Sequence, residues 1–445
     1  MTRPAGWEGE RPRIAVVGGG IAGLAGAHRL ARSAAEVTLY EASASCGGLG
    51  AFFPYGGTHL EKFYHCLLPG DDHLLELLGE LDMRDSVYWR TAEFGFMHEG
   101  RLYGLNTPRE LLAFKPLPLV SRFRVGFTGL YASRVSSGGL DEIPAEEWLV
   151  RLSGRRAFET LWKPMLQAKF GERYHEIPAL WFWTRFNREK GTRKEVKGYI
   201  RGGYRRLTEL LVDSLRGRGV RLRMNSPVEH LDLDEGGRPV LSSNGARDTY
   251  DAVLITTPLA LFRSFASGER MAPWTRRVDP GIDYQGVVNV LLVLRRSLTP
   301  YYWVAALHPE IPFQGIVESS VLLEKEDTGG HHLAYMMNYV HRTDPLYARS
   351  DEELVGDALR GLRVLFPDFN TRDVRDSFVF RAPFVEPLYT LGYLEKKPPG
   401  ELVPGRVWLA TAAQVYPAVT SWNSSAGLGR DAAGKMLGAL GPIPA

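Results

Sequence analysis

Residues 13–23 read RIAVVGGGIAG, and the fold turns on this stretch taken together with Leu24–Arg32 and Val37-Thr38-Leu39-Tyr40-Glu41. Arg13–Val17 is a short apolar run suited to a buried parallel strand. The glycines fall as Gly18-x-Gly20-x-x-Gly23. Gly18 permits a tight turn out of the strand, Gly20 lets backbone approach a pyrophosphate, and Gly23 lets the following helix pack on the sheet. Leu24, Ala27 and Leu30 give that helix an apolar face. Its N-terminus offers unpaired N–H groups and partial positive charge to phosphates. Val37–Tyr40 is a second strand, closed by Glu41, which lies 18 residues after Gly23 and is placed to accept hydrogen bonds from an adenosine ribose. Strand, helix, second strand and terminal acid agree on nucleotide binding. A ribose-binding acid disfavours a 2′-phosphate, so the nucleotide is FAD or NAD rather than NADP.

The chain around this unit has 445 residues, 44% hydrophobic and 24% charged, a globular composition. At roughly 150 residues per domain, two or three folded units are expected. Fifty-four basic and 51 acidic residues give a net charge of +3, too small to advertise nucleic-acid binding. The longest apolar run, Val287–Leu294 with one Asn inside it, falls far short of the roughly 20 residues of a membrane-spanning helix. The first ten residues carry Arg3, Glu8 and Glu10 and no apolar stretch, so no signal peptide is expected. Cys46 and Cys66 cannot make a disulfide framework, which points to a reduced, cytoplasmic setting. No 20–50-residue repeat is visible, which excludes solenoids and propellers. Metal, Walker-loop and serine-elbow motifs do not occur.

Cys46-Gly47-Gly48-Leu49-Gly50 is a second glycine-rich turn, which a plain NAD domain does not need. The block His59–Cys66 (HLEKFYHC) comes next. Alone it reads as a loop with a mixed surface; its place just beyond a nucleotide-binding unit gives it a functional reading. Residues 71–83 have the pattern of an amphipathic helix with Asp71 or Asp72 as N-cap. Leu105–Leu140 mixes apolar residues with Lys115, Arg122, Arg124 and Arg134 and has no acid after Glu110. Such a stretch can make weak contact with a membrane surface, and more commonly is the solvated edge of a substrate domain. Pro144–Arg151 and Ala157–Phe170 read as helices. Trp162, Phe170, Tyr174, Trp181, Phe182 and Trp183 read mostly as core, with some lining a cavity. Gly198–Tyr204 is a turn feeding a helix over Leu207–Arg216; Val220–Met224 and Tyr250–Thr256 return to the nucleotide-binding sheet. Tyr284–Leu294, Gly330–Tyr339 and Asp376–Phe384 read as strands of another sheet, with a helix over Glu352–Phe366. Arg406–Ala410 is a strand, a turn with Gln414, Tyr416 and Pro417 succeeds it, and Ser424–Leu440 is a small-residue helix.

Six stretches in order, VVGGGIAGLAGAHRLA, VTLYEASASCGGLG, GYIRGGYRRLTELL, NSPVEHL, DAVLITTP and RVWLATAAQVYP, resemble the FAD-dependent amine oxidase superfamily. That superfamily includes monoamine oxidases, protoporphyrinogen oxidases, carotenoid-type desaturases and, more distantly, UDP-galactopyranose mutases. HLEKFYHCLL, WKPMLQAKFGERY, LTPYYWVAA and AAQVYP are similar to a bacterial, protoporphyrinogen-oxidase-like branch described only as NAD(P)/FAD-dependent oxidoreductases, often found beside carbohydrate or secondary-metabolite biosynthesis. The resemblance implies an α/β fold: a Rossmann-like FAD-binding domain, discontinuous over 1–90, 196–260 and 400–445, and a substrate domain of mixed sheet and helices over 91–195 and 261–399. It implies non-covalent FAD, with Gly18, Gly20 and Gly23 on the pyrophosphate and Glu41 on the ribose. Gly48 and Leu49 would lie near the ribityl chain and flavin, Val228 at the adenine, and Ala413, Gln414 and Ser425 at the ribityl and isoalloxazine end. The chain departs from the family where Leu49 replaces a common Arg, where Ala412, Ala413 and Gln414 stand in place of a common Glu, and where Asn289 falls near the place of a flavin-contacting lysine. The last departure speaks against simple amine oxidation. No cysteine lies in the C-terminal flavin segment, hence the non-covalent expectation.

Hydride removal from a C–H beside N or O leaves a cation that must lose a proton, and His has the free pKa for that work. His65 is the leading catalytic candidate; Lys62 could orient the flavin or a substrate anion, and Tyr64 could hydrogen-bond or gate. Lys169 and Arg173, four apart, could share a helix face toward an anionic substrate, with Tyr174, Gln414 and Tyr416 as further candidates. The leading expectation is an FAD-dependent oxidase, dehydrogenase or desaturase acting on a small metabolite, such as a sugar or secondary-metabolite intermediate. The alternatives are a redox-neutral, flavin-dependent sugar mutase or isomerase, and a non-catalytic binding protein on the same fold. The oligomeric state, substrate and electron acceptor are not legible.

Overall fold

The strand–glycine turn–helix–strand unit is the centre of a parallel sheet. The structure, a computed structural model, describes residues 11–188, 196–278, 281–306, 308 and 310–441; the first ten residues, on which the leader-peptide expectation rests, lie outside them. Strand β1 (Arg13–Val17) and helix α1 (Ile21–Leu30) are followed by strand β2 (Glu36–Tyr40). The sheet runs Glu401–Val403, Val407–Leu409, Ala252–Ile255, β1, β2, Arg221–Arg223, parallel except for its antiparallel edge strand Glu401–Val403. Both faces are covered, which is why the strands are apolar without alternation. Ile14 and Val16 pack into one hydrophobic core, and Ala15 and Val17 into another. On one face α1 lies against the last helix, Trp422–Leu440. A Cβ at Gly429 would stand 2.0 Å from the Ala22 carbonyl oxygen, and one at Gly26 would stand 3.2 Å from the Gly429 oxygen. The small residues of this last helix exist because the two backbones touch.

The second sheet has seven strands in the order Val374–Pro387, Tyr284–Leu294, His332–His341, Gly315–Glu318, Trp303–Ala305, Phe94–His98, Arg101–Gly104. It is mixed, because Trp303–Ala305 runs parallel to Phe94–His98 while the other pairs are antiparallel. Its strand Tyr284–Leu294, held between Val374–Pro387 and His332–His341, is buried throughout and sorts its side chains by parity. Val288, Val290, Leu292 and Leu294 join Leu354, Ala358 and Leu362 of the helix Asp351–Leu365 in one core. Val287, Leu291 and Val293 join the core of α1 on the other side. Gln285 and Asn289 lie on that same inward face. Val87–Thr91 pairs with Val196–Ile200 in a separate two-stranded sheet.

Local departures from the sequence reading have physical causes. The first three residues of the 59–66 block are not loop: Thr58–Glu61 pairs with Phe52–Tyr55 in a hairpin closed at Gly56-Gly57. The hairpin Phe94–His98/Arg101–Gly104 extends the second sheet in a stretch to which the sequence reading gave no element. Asp71 is the N-cap residue of the helix Asp72–Glu80, as expected, but its carboxylate makes no capping bond and turns back to accept the Leu68 N–H at 2.8 Å. The helix Lys163–Phe170 ends at Gly171, whose φ of +56° leaves the helical region, so Lys169 and Arg173 do not share a helix face. The helix expected from Leu207 begins at Gly203, and the last helix begins at Trp422 with Ser421 as its cap rather than at Ser424. Trp162, Phe170, Tyr174, Trp181 and Phe182 are all core side chains, and Trp183 packs against the same core.

Candidate functional site

The β1–α1 turn has the geometry of an anion cradle. Gly18 sits at φ +107°, a conformation side chains resist, and a Cβ there would also meet Thr256 Oγ1 at 2.7 Å. A Cβ on Gly23 would lie 1.9 Å from the Gly18 oxygen, so the helix rests directly on the turn. Gly20 is different: the nearest atom to a Cβ there is Gly48 Cα at 4.0 Å, and no side chain caps α1. The first N–H groups of α1 are therefore open to a ligand. Glu41, at the end of β2, accepts Gly19 N–H through Oε2 at 2.6 Å and Ser43 N–H through Oε1 at 2.8 Å. Each oxygen keeps a lone pair for a hydroxyl. Asn225 and Ser226 donate their N–H groups to the Ser43 and Glu41 carbonyls, which holds the turn before half-buried Val228 against this end of the sheet. These features fit a dinucleotide, with phosphate at the helix start and ribose at Glu41.

The second glycine turn is stitched to the first, with Gly47 N–H donating to Gly19 O at 2.9 Å. Gly48 and Leu49 lie in the short helical turn Gly48–Gly50. Trp422 at the start of the last helix covers this turn: a Cβ on Gly50 would be 2.0 Å from its ring. That indole also lies 4.6 Å from the Tyr204 ring and 5.7 Å from the His65 ring. On the adjoining turn, Ala413 is fully buried and its carbonyl accepts from Tyr393 OH at 3.0 Å. Both ends of the Gln414 amide are engaged, Oε1 by Thr411 N–H at 2.8 Å and Nε2 by Pro399 O at 2.9 Å. Ser425 is part-buried in the first turns of the last helix, its N–H on Ser421 O.

The segment 61–65 leaves its hairpin and runs between the two sheets. Lys62 N–H donates to Ala51 O at 2.9 Å, next to the glycine turn, and its carbonyl accepts from Asn289 Nδ2 at 3.0 Å on the second sheet. Buried Glu61 accepts Tyr199 OH at 2.7 Å and Tyr204 N–H at 3.0 Å, and its Oε2 lies 3.5 Å from His65 Nδ1. Burial, with Glu61 alongside, pushes the Tyr199 phenol well above its usual range. Tyr64 shares a 2.8 Å hydrogen bond with Tyr339, and burial raises its pKa likewise. Both phenols remain protonated donors at neutral pH. The Lys62 ammonium lies 5.7 Å over the Phe380 ring, within an aromatic wall of Phe53, Phe378 and Phe380.

The inward face of the second sheet completes the region. Lys169 pairs with buried Glu386 at 2.6 Å and stands 4.8 Å over the Tyr339 ring. Gln285 donates to Lys169 O, while Gln285 Oε1 and Asn289 Oδ1 are buried acceptors without a hydrogen-bond donor. Arg173 is elsewhere, committed to Glu176 and Asp283 at 2.8 Å each. Tyr416 donates to Asp141. The structure thus brings Lys62, Tyr64 and His65 together with the glycine turns, adds Lys169, and separates Arg173 from them. Sequence reasoning missed Glu61, Tyr199, Tyr204, Gln285, Tyr339, Glu386 and Trp422. The Gly198–Tyr204 motif was visible but carried no hint that its tyrosines converge on Glu61.

Comparison with known proteins bears on the family and the fold. The family model described as flavin containing amine oxidoreductase matches residues 21–421. The chain is 22% identical over 346 residues to the mitochondrial protoporphyrinogen oxidase of Nicotiana tabacum, covering 65% of this chain and 66% of that protein's length. A crystal structure from Exiguobacterium sp. 255-15, of a protein named after protoporphyrinogen oxidase, superposes with a TM-score of 0.76 at 17% identity, covering 96% of this chain and 98% of that one. A reduced UDP-galactopyranose mutase superposes with a TM-score of 0.72 at 15% identity over 96% of each chain.

Proposed function

The chain belongs to the family of flavin-containing amine oxidoreductases, and from that premise we propose that it is an FAD-dependent oxidoreductase removing hydride from a small metabolite, with His65 as proton acceptor. FAD is the cofactor, in a unit assembled from 1–90, 196–260 and 400–445, with 91–195 and 261–399 holding the substrate. Gly18, Gly20 and Gly23 receive the pyrophosphate, Glu41 the ribose, and Val228 flanks the adenine. Gly48, Leu49, Ala413, Gln414 and Ser425 surround the flavin end.

The observation that carries the reading is the His65–Glu61 pair, on a segment hydrogen-bonded to the glycine turn on one side and to the substrate sheet on the other. FAD, when bound, supplies the hydride acceptor. A substrate losing hydride from a C–H beside N or O must also release a proton from that heteroatom. Glu61 Oε2 faces the imidazole Nδ1 at 3.5 Å without a hydrogen bond between them, which leaves Nε2 to take the proton. Tyr64, paired with Tyr339, donates to a substrate oxygen or nitrogen; Lys62 and the Phe378–Phe380 wall hold the substrate between charge and aromatic surface.

The test begins with the visible spectrum of the purified protein and of the nucleotide that heat releases. Flavin bands and released FAD, then anaerobic bleaching with a donor and a two-hydrogen-poorer product, support the reading. Bleaching by NAD(P)H with a product isomeric to its substrate replaces it with a mutase. A colourless protein that refuses added FAD overturns both.

A further inference from the structure

The helix Leu119–Ala132 is apolar on the wrong side. Its inner face, Val125, Thr128 and Ala132, is buried against the helix Ala145–Ser153 and its neighbours. Leu119, Val120, Phe123, Phe127 and Leu130 are all exposed, Val120 at 71% and Phe123 at 61%. At 3.6 residues per turn these five fall within an arc of about 100°, opposite the buried face, and run for about 17 Å. Exposed Leu112, on the preceding helix Pro108–Ala113, adds to the patch. Half of the ten large apolar side chains exposed among the described residues sit on this one helix. A contiguous patch of this kind is uncommon on a surface that meets only water.

The charges on the helix and the segments flanking it are of one sign, while the acids Glu146 and Glu147 belong to the helix on its buried side. Residues 111–140 contain no Asp or Glu, and Lys115, Arg122, Arg124 and Arg134 bracket the stripe. Arg122 donates to the Leu117 and Leu112 carbonyls, Arg124 to those of Leu152 and Arg151, and Arg134 to that of Leu130. These bonds are to neutral oxygens, so the positive charge is uncompensated. Of the acids that flank the stretch in sequence, Glu110 is folded back on Asn106 and Thr107 as a helix cap, and buried Asp141 accepts from Leu394 N–H and Tyr416 OH. Two copies meeting through this patch would set like charges against each other. An anionic lipid surface does the reverse, taking the apolar side chains into the headgroup boundary and the cations at its phosphates.

We propose that the helix Leu119–Ala132 docks this protein on the surface of an anionic lipid bilayer, without spanning it. Among the described residues no helix is long and apolar enough to cross a membrane, so the contact is peripheral. The inference is independent of the reaction proposed above.

Co-sedimentation of the holoprotein with vesicles decides it. Binding to mixed phosphatidylcholine–phosphatidylglycerol vesicles is expected, with little to phosphatidylcholine alone and a decline as salt is raised. Phe123→Asp/Phe127→Asp should abolish binding while leaving the flavin spectrum and thermal melt unchanged, since both side chains are exposed. Lys115→Gln/Arg134→Gln should weaken it ~30-fold, two charges' worth. Equal sedimentation of the aspartate variant, or none of the parent protein, overturns the proposal. So does a concentration-dependent dimer in analytical ultracentrifugation that the aspartate variant dissolves, which would assign the face to a second copy.

Discussion

His65 illustrates how a single side chain takes its meaning from its surroundings. Its imidazole is confined by Tyr204, Trp422 and Glu61, a carboxylate itself fixed by a phenol and a backbone N–H. His65→Asn keeps the size and loses the base. We expect kcat to fall by about 10² to 10⁴ with the flavin spectrum retained, measured as the rate of anaerobic bleaching by an identified donor. Glu61→Gln should lower the same rate by less than His65→Asn does, because the imidazole stays and only the carboxylate facing Nδ1 at 3.5 Å is lost. Away from the site, Glu318 is fully buried, its Oε2 held by Leu298 N–H at 2.9 Å, and burial raises its pKa from 4.5 to about 7. A carboxyl with a raised folded pKa contributes stability that is fully present below pH 4.5 and is lost as pH rises through 7. The loss is about 3 kcal/mol at 1.36 kcal/mol per unit. Urea melts across this window should show a shallower decline for Glu318→Gln than for the parent; parallel curves would disprove the assignment.

At the scale of elements, the glycines of the β1–α1 turn have separable jobs. Gly20, at φ −72° and facing open space, is free of steric need within the fold. Gly20→Leu should therefore give a protein with parental circular dichroism that purifies without colour, because the side chain fills the space a pyrophosphate takes. Gly23→Val drives a Cβ into the Gly18 carbonyl and should lose both nucleotide and fold. The same logic applies where α1 crosses the last helix. Gly429→Leu puts a side chain against the Ala22 backbone and should lower stability by about 1–3 kcal/mol or more, read from the midpoint of a denaturant melt. If Gly20→Leu binds FAD as well as the parent, the cradle has been misplaced.

For the whole molecule, the proposed site links nucleotide and fold, because its groups come from β1, β2, the turn at 225–228 and the last helix. FAD that binds only the folded state stabilises it by about 2.7 kcal/mol at a hundredfold excess over Kd. Stripping the nucleotide should lower the melting temperature and adding FAD should restore it; an unchanged melt would show that the cofactor does not bridge these segments. The first βαβ unit was legible because its signals are local: an apolar strand, glycines at fixed spacing, and an acid one strand later. The long strands 284–294, 332–341 and 374–387 were legible from their apolar runs for the same reason. The Glu61–Tyr199–Tyr204 cluster was not, since its members lie 138 and 143 residues apart and meet only because 196–200 pairs with 87–91. Lys169 and Glu386 likewise find each other across 217 residues of chain. Arg173, four positions from Lys169, was placed beside it by periodicity, and Gly171 sent it elsewhere. Sequence by itself determined the nucleotide-binding unit and its chemistry, because backbone sterics and short-range spacing require specific residue types in order. Tertiary structure alone decided which acid faces which base and which helix shows its apolar side to the outside, because those depend on the meeting of distant segments that no local pattern encodes.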